Sequence, residues 1–417
     1  MNIWLFSRAC RWLIADFGVY VGVAILASCG WATARAAPPP VTPHPGANAA
    51  LYYYRAFALL PKIPVRTING AIPRISDYPL DKTTLRQLHA AKWSLRLLCL
   101  GCRMPVCNWG DKSIYGQFTF VPPVWVLGQA RVLGEIAMLQ ARLDWGKKRW
   151  KRSNRLVAAS FILAHHVGQG HMVLGIFTQG VMNDIYLSTL AKHIAVLPKK
   201  ELRALQRLLA NLPPLTPLAT ALQPGAPDPL RVIMRQLLKR HIEASIWQWV
   251  VTLQQAQKYA PGQRPPEPIP PVPAHIAKEV RAAISAMQRH DKELVAALTT
   301  PYPQSIRSVD KVYRHIKIQD IASGNRVLRV LGRPWWVKPY YAAQCGTQAR
   351  RMELRAAIAY LLGGRAAFNK IRDPFGPGPL ILEKHANQLV IRSHLNVTPL
   401  VAPATAKWET TLTVPLH

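Results

Sequence analysis

Apolar residues recur along much of this chain at the three- and four-residue steps of an α-helix. The first such stretch, AALYYYRAFALLP, puts Ala50, Tyr53, Phe57 and Leu60 on one side and stops at Pro61. Residues 83–100 repeat the pattern with Leu85, Leu88, Trp93, Leu97 and Leu98. The strongest signal covers 124–210. There Val132, Ile136, Leu139 and Leu143 mark one helix, which Gly146 ends. A second is predicted from Asn154 to His166, a Gly-Gln-Gly break follows, and a third runs from Met172 to His193. The fourth, KKELRALQRLLANL, sets Leu202, Leu205, Leu208 and Leu209 on one face ahead of Pro213 and Pro214. Helices joined by short turns pack as antiparallel neighbours. The spacing therefore predicts stacked helical hairpins, α-solenoid-like but without a fixed repeat period.

After a proline-rich loop (212–229), a helix is expected over 230–258, carrying Trp247 and Trp249. The segment GQRPPEPIPPVPA then reads as an extended linker. Residues 275–298 form an amphipathic helix with Val280, Ile284, Met287 and Leu294. YRHIKI and RVLRVLG fit a helix or a short strand, and a further helix is predicted over 347–362. The pattern changes at the end. PLILEK and QLVIRSHL flank a three-residue turn, His385-Ala386-Asn387, and read as a β-hairpin. The fold class is mainly α with a small C-terminal β-hairpin. The expected organisation is a signal peptide (1–28), a proline-rich stalk (29–47), a helical domain (48–258), a linker (259–274) and a second helical segment ending in the hairpin (275–417).

The N-terminus supplies a compartment. Arg8 and Arg11 precede an apolar run over 17–28, shorter than the about 20 residues a bilayer needs and suited to a signal-peptide core. It closes on Leu26-Ala27-Ser28-Cys29, the pattern of a bacterial lipobox, in which the thiol of Cys29 takes the lipid. Ala34-Arg35-Ala36 offers ordinary signal cleavage instead, and an uncleaved anchor is a third route, against which Asp16 counts. Each route predicts an exported protein of the cell envelope, tethered at its N-terminus or released to the periplasm.

Charge then changes the picture. The chain has 417 residues, with 53 Lys plus Arg against 20 Asp plus Glu, a net +33. Such a field attracts polyanions. An exported protein meets anionic envelope polymers and lipid headgroups before it meets nucleic acid, so those are the expected partners. Adaptation to an acidic exterior is the plainer explanation. The densest basic run is GKKRWKRSNR. Lys147, Lys148, Arg149, Lys151 and Arg152 are its candidate anion contacts, with Trp150 as a stacking surface. A solvated inter-helix turn is the alternative.

Cysteines and histidines give two further candidates. In CLGCRMPVC three thiols, Cys99, Cys102 and Cys107, fall within nine residues, and Cys345 stands apart. The spacing is poor for zinc, and a Cys-x-x-Cys at a helix C-terminus lacks the dipole that activates a redox thiol. In an exported protein disulfides among these four are expected, with buried free thiols as the alternative. His165, His166 and His171 cluster in AHHVGQGH, but not at the i, i+4 spacing of a zinc helix. They mark where a hydrolase site would be assembled, if one exists. Gly168, Gly170 and Gly175 lack the spacing of a dinucleotide loop, and no Gly-x-Ser-x-Gly, His-Glu-x-x-His or P-loop occurs. No cofactor, metal or catalytic residue is expected. WQW (247–249) and PWW (334–336) read as core or interface anchors.

Four segments resemble a family of exported bacterial proteins abundant in planctomycetes: NAALYYYRAFALLP (48–61), GCRMPVCNWG (101–110), residues 168–214, and RDPFGPGPLILEKHANQLVIRSHLN (372–396). They cover about a quarter of the chain. Only Cys107 of the cysteines belongs to the pattern, Asn108 replaces an aspartate, and a His-Gly-x-Tyr-Pro segment is missing. The ending is also similar to that of some type II pseudopilin-like proteins, which implies an accessory role in a secretion or pilus-like system as an alternative. The resemblance implies location and fold class and carries no activity. The leading expectation is a non-catalytic envelope scaffold or binding protein.

Overall fold

The computed structural model describes residues 48–61, 75–109, 123–169, 172–223, 270–331, 337–396 and 411–416, with single positions between 234 and 251. The expected signal peptide, Cys29 and the expected stalk lie outside the described residues, as do His171, Trp249, Trp335, Trp336 and linker positions 259–269.

The protein is mainly helical, with a small antiparallel sheet near its C-terminal end. The helices are α1 (Ala49–Ala58), α2 (Lys82–Ala90), α3 (Lys92–Gly101), α4 (Pro123–Gly146), α5 (Trp150–Gly168), α6 (Val173–Ala191), α7 (Lys199–Ala210), α8 (Ile276–Leu298), α9 (Gln304–Ala322), α10 (Arg326–Leu331) and α11 (Val337–Phe368). The strands are β1 (Ile381–His385), β2 (Gln388–Arg392) and β3 (Thr411–Pro415).

The four helices expected over 124–210 are present as α4 to α7, and α4, α5 and α6 stack in sequence order. Two boundaries differ. Helix α5 begins at Trp150 rather than Asn154, because Lys148 takes φ 55° and turns the chain at once into Arg149, the N-cap. Helix α11 begins ten residues ahead of the predicted start and accepts Pro339 in its first turn, where no helical N–H partner is lost. It runs on to Phe368 through a break at Gly363 and Gly364, the latter at φ 67°. YRHIKI and RVLRVL are both helical, in α9 and α10.

The hairpin forms with a shorter turn than expected: His385 pairs with Gln388, leaving Ala386 and Asn387 between the strands. A third strand, β3, joins β2 in the order β1-β2-β3. Its period of two is plain, with Leu412 and Val414 buried and Thr411 and Thr413 exposed.

Packing does not follow chain order. The largest core joins α1 residues Ala50 and Tyr53, α4 residues Leu133 and Ile136, and α6 residues Tyr186 and Leu190. It also takes in Leu354 and Phe368 of α11, Leu389 and Ile391 of β2, and Leu412 and Val414 of β3. A separate cluster under α8 collects Val280, Ile284, Met234, Trp247 and Val250. Among the described residues no helix is long and apolar enough to cross a membrane.

Candidate functional site

The turn between α4 and α5 carries the basic run, and its shape is set by one buried carboxylate. Asp144 has a fully buried side chain, accepts from Gln140 Nε2 at 3.1 Å, and pairs with Arg152 Nε at 3.2 Å. Its carbonyl accepts the Arg149 N–H at 2.8 Å. Arg152 is thus neutralised at the foot of the turn. Lys147, Lys148, Arg149 and Lys151 are exposed and make no ion pair among the described residues. Trp150 is partly exposed and packs against the main core.

The cysteine segment comes to this same corner. Arg103, Arg152 and Arg155 lie close enough to the Cys99 thiol to pull its pKa down, although burial pushes it up by more. The outer stripe of α3 continues the basic surface with Lys92 and Arg96, and Arg103 follows in the turn beyond the helix. Trp93, 57% exposed, lies beneath the Arg96 guanidinium at 5.3 Å. Two segments that are about fifty residues apart in sequence therefore form one cationic shoulder. Arg103 and Arg155 were legible as basic residues, but only their convergence on Cys99 places them together.

Beneath the shoulder the segment is structural. Asn48 caps α1, accepting from Ala50 N at 3.1 Å and from Asn108 N at 2.9 Å, while its Nδ2 donates to the Asn108 carbonyl. Trp109 stacks on Tyr53 and Phe57 and donates its indole N–H to the His166 carbonyl at 2.9 Å. Cys99, Cys102, Cys107 and Cys345 stand as unbridged thiols, the alternative to the expected disulfides. Cys102 donates to the Ala159 carbonyl at 3.1 Å, and burial pushes its thiol up to about 12. Cys345 sits in a different cluster, with Ala349 and Phe375, and is likewise raised to about 12 by burial.

His166 is 6% exposed. Burial, helped by His165, lowers its pKa to about 4. Tyr53, whose hydroxyl burial holds far above its ordinary value, lies 2.7 Å from His166 Nδ1. The pair is therefore a neutral imidazole hydrogen-bonded through Nδ1 to a protonated phenol, which also lies 3.4 Å from Cys102 Sγ. His165 points elsewhere, with Nε2 2.9 Å from Gln169 Nε2 and its ring beside the Pro214 backbone and Arg351. The adjacent histidines are thus divided between two environments, and His171 lies outside the described residues. Among the described residues no three His, Cys, Asp or Glu side chains are grouped to hold a metal ion.

A second polar knot underlies the C-terminal motif. Asp373 is fully buried and accepts from Phe375 N at 3.0 Å, Ser393 Oγ at 2.8 Å, His394 N, and His394 Nδ1 at 2.9 Å. Glu353 accepts the Ser393 N–H at 3.1 Å. The Asp-Pro-Phe-Gly turn is thereby clamped to the end of β2, and Gly376 is needed because a Cβ there would stand 2.5 Å from the His394 ring.

No protein-family model, curated protein or solved structure matches the chain.

Proposed function

We propose that this is an exported, non-catalytic binding protein whose cationic shoulder holds an anionic polymer of the cell envelope. One observation carries the reading. Four cations, Lys147, Lys148, Arg149 and Lys151, stand exposed on a single tight turn, and the nearest buried carboxylate is already neutralised by Arg152. Cations without local counter-charges attract phosphate or carboxylate groups and release the counterions those groups carry. Trp150 is packed inward, so recognition runs through charge and not through stacking. The export reading rests on the N-terminal pattern. Anchoring through Cys29 belongs to the same proposal.

The test compares two charge-matched variants of the full chain. One carries Lys147→Gln, Lys148→Gln, Arg149→Gln and Lys151→Gln. The other removes four exposed cations of α8 by Lys278→Gln, Arg281→Gln, Arg289→Gln and Lys292→Gln. Affinity is measured against inorganic polyphosphate, polygalacturonate and phosphatidylglycerol vesicles over a range of salt. The turn variant should bind a polymer at least about tenfold more weakly than the α8 variant and show a shallower salt slope. Equal losses in both variants would mean that net charge alone drives binding, and would refute the site.

A further inference from the structure

Helix α9 presents a second surface of a different kind. Its inner face is built in: Val309 and Ile316 are buried beside Leu294 and Leu298 of α8. Its outer face follows the spacing i, i+4, i+7, i+11, i+14 and reads Arg307, Lys311, Arg314, Ile318, Ile321. All five are exposed, Ile318 by 68% and Ile321 by 52%. They form a stripe about 21 Å long. Lys317 and His315 flank it. The helix has two carboxylates, and neither opposes the stripe: Asp310 is paired with Lys338 at 2.5 Å, and Asp320 is fully buried.

Single exposed aliphatics are ordinary, but Ile318 and Ile321 are one helical turn apart on the same stripe and each more than half exposed, so they form a small apolar patch. Their position at one end of an otherwise cationic stripe narrows the partner. An acidic protein would satisfy the arginines and lysine, and an apolar groove would satisfy the isoleucines. A bilayer with anionic headgroups satisfies both at once, because charge and acyl chain lie at successive depths. We infer that α9 docks the protein onto an anionic membrane surface, with Ile318 and Ile321 entering the headgroup boundary and Arg307, Lys311 and Arg314 resting on lipid phosphates. This surface is separate from the cationic shoulder and does not depend on it.

The experiment needs a local readout, because the apolar N-terminal run can hold a vesicle by itself. Full-length protein is footprinted with a photoactivated diazirine, alone and bound to vesicles, and labelling of the α9 peptide is followed by mass spectrometry. On phosphatidylglycerol vesicles the label on Ile318 and Ile321 should fall severalfold, and on phosphatidylcholine vesicles it should not. The pair Ile318→Ser with Ile321→Ser, both exposed and tolerant of change, should lose that protection and partition about tenfold more weakly. The inference is overturned by undiminished α9 labelling on anionic vesicles that have bound the protein. It is also overturned by unchanged partitioning of the double variant, or by protection that appears with rising protein concentration in the absence of lipid, which would identify a second copy as the occupant. Gln substitution of the shoulder lysines and arginine leaves the α9 footprint intact, which separates failure of this inference from failure of the polymer-binding reading.

Discussion

Acid should destabilise this protein through one histidine. His166 is neutral in the fold, with its pKa lowered to about 4 from the ordinary 6.5 by burial. In the unfolded chain it titrates near the ordinary value, so the unfolded state takes up a proton first as pH falls. The stabilisation is full above the unfolded value, declines as pH drops from about 6.5 toward about 4, and changes no further below that. Between about pH 7 and about pH 5 the loss is roughly 2 kcal/mol. Burial sets the sign: the Tyr53 hydroxyl, 2.7 Å from Nδ1, brings no negative charge to offset a buried imidazolium. The assay is urea unfolding followed by tryptophan fluorescence at both pH values, in wild type and in His166→Gln. Carboxylates and the other histidines contribute to both proteins, so the difference between their pH dependences isolates one proton. Wild type should lose about 2 kcal/mol more than the variant on acidification. Tyr53→Phe should cost about 1–3 kcal/mol at neutral pH, by leaving the buried Nδ1 of His166 unpaired. Equal pH dependence in wild type and His166→Gln would show that the buried imidazole is not the titrating group, and the argument would fall.

Three further outcomes are expected. Arg152→Gln strands the buried Asp144 carboxylate and should destabilise the fold by about 2–4 kcal/mol in chemical denaturation, far more than Lys151→Gln beside it. Gly134→Ala would bring a methyl to 1.7 Å from the buried Tyr186 hydroxyl, and should cost at least about 1–3 kcal/mol by overpacking, read as a lowered Tm. Cys102 and Cys345, both held near 12, should resist iodoacetamide in the native protein at mildly alkaline pH and react on unfolding, as mass spectrometry of the alkylated peptides will show.

The helices were legible where a stripe of apolar residues met a hard stop. Leu202, Leu205 and Leu209 give α7 its inner face, and all three are buried. Boundaries set by backbone geometry were not legible: nothing in the sequence announces that Lys148 adopts a positive φ and starts α5 early. Strand β3 alternates as clearly as β2, but five residues separated from their partner strand carry no hairpin signal. The basic run was visible as composition. Its division into four exposed cations, one neutralised arginine and an inward tryptophan depends on Asp144, a lone acid whose burial no local pattern reveals. The same holds for Tyr53 and His166, which lie 113 residues apart and meet only in the fold. The disulfide expectation came from compartment; the structure instead holds Cys102 by its hydrogen bond to Ala159 and parts Cys345 from the other three.

The closure of the main core by β3 has a consequence for timing. Helices α1 to α6 are made between about 220 and 360 residues ahead of Leu412 and Val414, yet they share a core with both. Contacts of such sequence separation form slowly, and until residues 411–416 arrive the apolar faces of α6 and α11 lack the strand that covers them. Completion of the main core therefore waits on a contact of long sequence separation. Strand β3 is thus the element that completes a core whose helices are made well before it.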